Sequence, residues 1–171
     1  AVRPDGRISP QCAGLWNSRQ EEAWRRIVEF VHALDVKIGI QLSHSGRKGS
    51  TSPPWEGERD ITGQNGWSTI GPSEVAYGDY RPPREATEAD LTNFVDCFAQ
   101  AAMRANHCGF DVLEIHAAHG YLLHSFLSPL SNKRTDRFGG DVDGRMRFPL
   151  EVVDAVRAVW PEDKPLFVRI S

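Results

Sequence analysis

Strand, helix, strand, helix, strand is the order in which the 171 residues read, and that order predicts an α/β fold of about three parallel strands with their helices. Two observations narrow it to part of a TIM (β/α)8 barrel rather than a doubly wound sheet. No glycine-rich dinucleotide fingerprint follows the first strand. The alternation within the strands also sends polar side chains from all of them to one mouth.

The first helix is expected from about Arg19 to Leu34, with Ser18 and Glu21 as a capping box and Trp24, Ile27, Val28 and Val31 on one face. In the strand Lys37 to Leu42, apolar Ile38, Ile40 and Leu42 alternate with Lys37, Gly39 and Gln41. Ser43 to Glu85 has no periodicity and is rich in Gly, Pro, Ser and Trp; a loop of that length in a compact domain is usually functional. A second helix starts at the capping box Thr87 to Asp90. It buries Leu91, Phe94, Val95, Phe98, Ala101, Ala102 and Ala105, and stops near Gly109.

Asp111 to His116 reads as the next strand and Ala117 to Gly144 as a second long loop. A third helix is expected from about Arg145 to Trp160, with Val152, Val153, Val156 and Val159 inward; Pro149 must lie near its first turn or kink it. Pro165 to Ser171 is the last strand. Both long loops follow strands, so elaboration gathers at the strands' carboxyl ends, where α/β folds keep their sites.

If the aliphatic faces Ile38/Ile40/Leu42, Leu113/Ile115 and Leu166/Val168/Ile170 pack on helices, then Gln41, His116 and Arg169 point inward at the top of their strands. Glu114 then also points inward and needs a partner.

Composition excludes several function classes. Hydrophobic residues make up 40% and charged residues 25%, the proportions of a globular domain. No apolar run is long enough for a membrane helix and no signal peptide opens the chain, so no membrane partner and a cytoplasmic location are expected. A net charge of −3 with dispersed Lys and Arg gives no surface for nucleic acid. Cys12, Cys97 and Cys108 match neither a disulfide framework nor a zinc pattern and read as reduced, mostly buried thiols.

The chemistry concentrates in His116-Ala117-Ala118-His119-Gly120-Tyr121, where a strand end sets two imidazoles three residues apart and a phenol two further on. Neutral imidazoles can donate to one carbonyl oxygen and stabilise the charge that gathers there when a hydride adds to the conjugated double bond. Tyr121 can supply the proton that the resulting carbanion needs. The same pair could bind zinc with a third ligand from His44, His124 or a carboxylate, or could be ordinary buried histidines; no metal is expected. Gln41, His44, Arg47 and Lys48 form a second polar group at a strand mouth. It suits the edge of a planar heteroaromatic ring, although Gly46-Arg47-Lys48 could also be a solvated basic turn.

Ile40 to Lys48, Glu114 to Leu122, Phe126-Leu127-Ser128-Pro129 and Asn132 to Gly140, with Arg145, Arg147 and Phe148, resemble the Old Yellow Enzyme family nearly end to end. Arg47-Lys48 and Pro54-Trp55-Glu56-Gly57 are most similar to its bacterial xenobiotic reductases of the thermophilic-like class. The resemblance implies FMN, reduced by NADPH or NADH, passing hydride to an activated C=C bond of an enone or xenobiotic. It implies Gln41, Arg169 and Lys48 at the flavin, His116 and His119 on the substrate carbonyl, and Tyr121 as proton donor. Residues 1–171 are then expected to be a partial FMN-binding barrel domain lacking the first strands and the C-terminal half, in a parent enzyme that is homo-oligomeric. A non-enzymatic flavin- or metal-binding α/β domain, or a dienoyl-CoA reductase or amine dehydrogenase relative, are the alternatives.

Overall fold

The computed structural model describes residues 1–61 and 63–171. Its sheet is parallel and three-stranded in the order β1 (Gly39–Leu42), β4 (Val112–Ala117), β5 (Leu166–Ile170). Helix α1 (Ser18–His32) precedes β1. Helix α2 (Glu88–Cys108) joins β1 to β4, and α3 (Leu122–Leu127) with α4 (Val142–Val159) joins β4 to β5. A short parallel pair, β2 (Ile70–Gly71) and β3 (Arg84–Glu85), lies within the first long loop.

The capping box that opens α2 forms as expected: Asp90 N–H donates to Thr87 Oγ1 at 3.2 Å, and Thr87 N–H donates to Asp90 Oδ2 at 2.8 Å. The expected apolar face of α2 is buried apart from Val95, which is only partly covered. At α1 the cap lies one residue earlier than expected. Asn17 accepts from Gln20 N–H at 2.9 Å and Gln20 Oε1 accepts from Trp16 N–H at 2.8 Å, so Ser18 is already helical and its box with Glu21 does not form. Helix α1 buries only Val28 fully and leaves Ile27 45% exposed, so the expected four-residue face is narrower.

The second long loop is corrected too. It contains α3, and α4 starts at Val142, capped by Asp141, which accepts from Gly144 N–H at 2.9 Å. Pro149 therefore lies two turns inside α4, buried, where it removes one helical N–H.

The core lies between the sheet and α2 and α4: Leu42, Leu113 and Ile115 meet Phe94, Phe98, Phe148, Val152 and Val156. Register follows the expected phase, with Gln41 beside Glu114 and His116 beside Arg169. Gln41 thus stands one layer below His116 and Arg169 on the same face, a stagger that barrel closure requires. Glu114 finds its partner there, accepting from Gln41 Nε2 at 2.5 Å. Among the described residues no helix is long and apolar enough to cross a membrane.

Candidate active site

The turn that follows β4 gathers the chemistry. His116 is buried, and its Nδ1 accepts from Ala118 N–H at 3.1 Å, which places the proton of the neutral ring on Nε2. That Nε2 lies 3.2 Å from His119 Nδ1, and the Tyr121 ring stands 5.0 Å from the His116 ring and 6.5 Å from the His119 ring. Burial lowers the pKa of His116, and nearby His119 and Arg169 lower it further, so the ring is a neutral donor near pH 7. Burial raises the pKa of Tyr121 above the usual 10, which keeps its phenol protonated. The three residues singled out for chemistry are thus brought together.

The turn needs unusual backbone. His119 has φ 58° and Gly120 φ 75°, both left-handed, and the first is costly for a residue with a Cβ. Three contacts hold it: Lys48 Nζ donates to His119 O at 2.8 Å, Gly120 N–H donates to His124 Nδ1 at 2.6 Å, and His119 N–H donates to Ser171 Oγ at 3.1 Å.

The loop after β1 supports this turn from the side. Gly46 has φ 58°, and a Cβ there would lie 2.9 Å from the backbone of Leu122, so only glycine permits that approach. His44 O accepts from Leu122 N–H at 3.0 Å. Arg47 donates to Val75 O and Ala76 O, each at 3.0 Å, and Lys48 Nζ lies 3.9 Å from the Tyr77 ring centroid. The Gly46-Arg47-Lys48 segment is therefore a built corner, not a solvated basic turn. Lys48 is engaged with His119 and Tyr77, while Gln41 and Arg169 are exposed on the inner face.

The zinc alternative finds no third ligand among the described residues. His44 is enclosed against Phe94 with its Nε2 3.8 Å from Asp5, and His124 Nδ1 accepts from Gly120 N–H, so neither ring is presented to the His116/His119 pair. No group of three His, Cys, Asp or Glu side chains is disposed for a metal there. Of the cysteines only Cys108 is buried, whereas Cys12 and Cys97 are half-buried, so the expected burial is corrected for those two.

Sequence reasoning missed three residues. Tyr77, Ser171 and the supporting role of His124 lie in aperiodic segments or at a strand end, and no spacing marks them. It also left Asn132 to Gly140 without a physical role. Arg134 there is buried and donates to Pro72 O at 3.1 Å and Ala86 O at 2.6 Å while it pairs with Asp136 at 2.5 Å. Asn132 Nδ2 donates to Phe126 O and Phe138 O, each at 2.8 Å. The stretch fastens the two long loops together.

Residues 1–171 match the NADH:flavin oxidoreductase / NADH oxidase family. An NADH:flavin oxidoreductase of Gibberella zeae is 46% identical over 177 residues, covering 100% of this chain and 43% of that protein. The NADPH dehydrogenase of Bacillus subtilis is 46% identical over 172 residues, covering 100% of this chain and 46% of its own. Among solved structures, morphinone reductase superposes with a TM-score of 0.86 at 32% identity, over 99% of this chain and 47% of that one. The chain spans about half the length of the curated relatives it matches.

Proposed function

Because the chain belongs to the NADH:flavin oxidoreductase / NADH oxidase family, we propose that its β4 turn is the substrate-binding side of an FMN-dependent ene-reductase site using NADPH or NADH. The observation that carries this reading is the 3.2 Å approach of His116 Nε2 and His119 Nδ1, with Tyr121 against them at a strand's carboxyl end. The strand unit would be part of the (β/α)8 barrel, and the activity is that of the enzyme to which it contributes.

The inner face fits the cofactor. Gln41 gives one of its two amide N–H groups to Glu114, which orients the amide and leaves its carbonyl oxygen as an acceptor, and Arg169 offers donors and a positive charge on the same exposed face. An acceptor beside a cation matches the edge of a ring that carries both an N–H and carbonyl oxygens. Gln41 and Arg169 would hold FMN, with Lys48 in the same neighbourhood. The chemistry that FMN supplies when bound is hydride carriage from a nicotinamide to the β-carbon of an activated alkene.

This chain's residues prepare the alkene. With Nδ1 taken by Ala118 N–H, His116 can only donate through Nε2, and a carbonyl oxygen would replace His119 Nδ1 as the acceptor. His119 is exposed and can exchange tautomer through its other nitrogen, after which Nδ1–H becomes a second donor to the same oxygen. Both donors strengthen as negative charge grows on that oxygen. Tyr121, held protonated by burial, delivers a proton to the α-carbon.

Tyr121→Phe is expected to lower kcat for 2-cyclohexenone by about 100-fold, the lower range for loss of a general acid. Affinity for the ligand should stay within about threefold, because the two imidazoles remain to bind the oxygen. Steady-state kinetics beside a ligand titration checks this. An unchanged kcat would remove Tyr121 from proton transfer.

A further inference from the structure

His124 has no part in the chemistry above, yet it makes the shortest of the contacts that hold the turn. It lies on α3, half-buried, and its Nδ1 accepts from Gly120 N–H at 2.6 Å across the left-handed pair His119 and Gly120. Tyr121 follows as the N-cap residue of α3, so one imidazole ties the helix to the turn that carries both the donor and the phenol. Lys48 holds the same turn through His119 O.

We propose that His124 is a positioning residue: as a neutral acceptor on Gly120 N–H it fixes the His119-Gly120-Tyr121 turn and thereby the substrate-binding pair. This rests on the reading of that pair given above. An accepting Nδ1 carries no proton, so the ring must be neutral for the contact to exist. Its neighbours favour that state: the cations Lys48 and Arg47 face it from the 3-10 turn Gly46–Lys48, and the His119 imidazole from the β4 turn. Burial and these groups lower its pKa from the usual 6.5. Acidification puts a proton on Nδ1, abolishes the acceptor and frees the turn, so ligand affinity falls as pH falls.

Two variants separate this from a general structural role. Asn places its side-chain oxygen where His places Nδ1 and does not titrate, so His124→Asn keeps the acceptor and loses the pH response. His124→Leu keeps bulk and loses the acceptor. The oxidised, FMN-loaded protein is titrated with 2-cyclohexenone, which has no titrating group, from pH 8 down to the lowest pH at which it stays folded and keeps its flavin. At pH 8 His124→Leu should bind about fivefold more weakly or worse, the cost of stranding an amide donor, and His124→Asn within about twofold of wild type.

On acidification wild type should lose affinity more steeply than His124→Asn, which keeps only the pH response of the rest of the site. Equal affinity of His124→Leu and wild type, or superimposable pH profiles of wild type and His124→Asn, would overturn the proposal. The pH comparison decides it if His124→Leu fails to fold. Hydrogen exchange over residues 116–124 gives a readout that needs no ligand: at the acid end of that range faster exchange in wild type than in His124→Asn, after correction for the intrinsic rate, is expected, and equal protection contradicts the role of His124. If 2-cyclohexenone does not bind wild type at all, the reading of the His116/His119 pair fails, and exchange alone judges the turn.

Discussion

Replacing both His116 and His119 with alanine is expected to weaken binding of phenol or an enone to the FMN-loaded protein by at least about 10-fold, given what two hydrogen-bond donors to one oxygen contribute. The reason is geometric. His116 is locked as an Nε2 donor by Ala118 N–H, and His119 is held against it by a turn with three separate anchors. Phenol and enone oxygens present the same kind of acceptor to the same two donors, so both ligands should suffer alike. His119→Ala alone should cost less than the double change, since His116 keeps its tautomer without it. Titration monitored by flavin absorbance measures this, and unchanged affinity in the double variant would show the pair to be structural.

The second large effect is on stability and lies away from the histidines. Arg134→Met should destabilise the fold by about 3 kcal/mol, because it strands buried acceptors and breaks an ion pair that is enclosed on the arginine side. The Arg134 side chain is 5% exposed, and its guanidinium joins Pro72 of the first long loop and Ala86 just after it to Asp136 of the second. A lowering of Tm of roughly 10 °C is expected for a domain of this size, read by circular dichroism. Arg134→Lys should recover only part, as one ammonium cannot span three partners held by a planar fork. A Tm within about 1 °C of wild type in Arg134→Met would mean that the loops are fastened by other contacts.

The sheet and its long helices were legible because each is a periodic signal. Leu113 and Ile115 alternate with Glu114 and His116 just as the buried and inner faces do, and Thr87 with Asp90 marks the start of α2. The phase of the strands also placed Gln41, His116 and Arg169 on one face and foretold that Glu114 would need a partner. Short elements escaped. Helix α3 is 6 residues, too few to show a face, and Asn17 outcompeted Ser18 as a cap because Gln20 completes its network.

The site was legible to the extent that its residues are adjacent in sequence. His116, His119 and Tyr121 share one strand end, whereas the groups that hold them come from afar: Lys48 and Tyr77 from the first loop and Ser171 from beyond β5. Contacts between residues so far apart in sequence leave no local pattern, as Lys48 with His119 at 71 and His119 with Ser171 at 52 illustrate.

Whether the inner face of the sheet serves a flavin is decided by denaturing the purified full-length protein that carries these residues and identifying what it releases. FMN is expected, at about one per polypeptide, the share set by a single barrel mouth holding the site. A colourless protein that regains no flavin on incubation with FMN would contradict it.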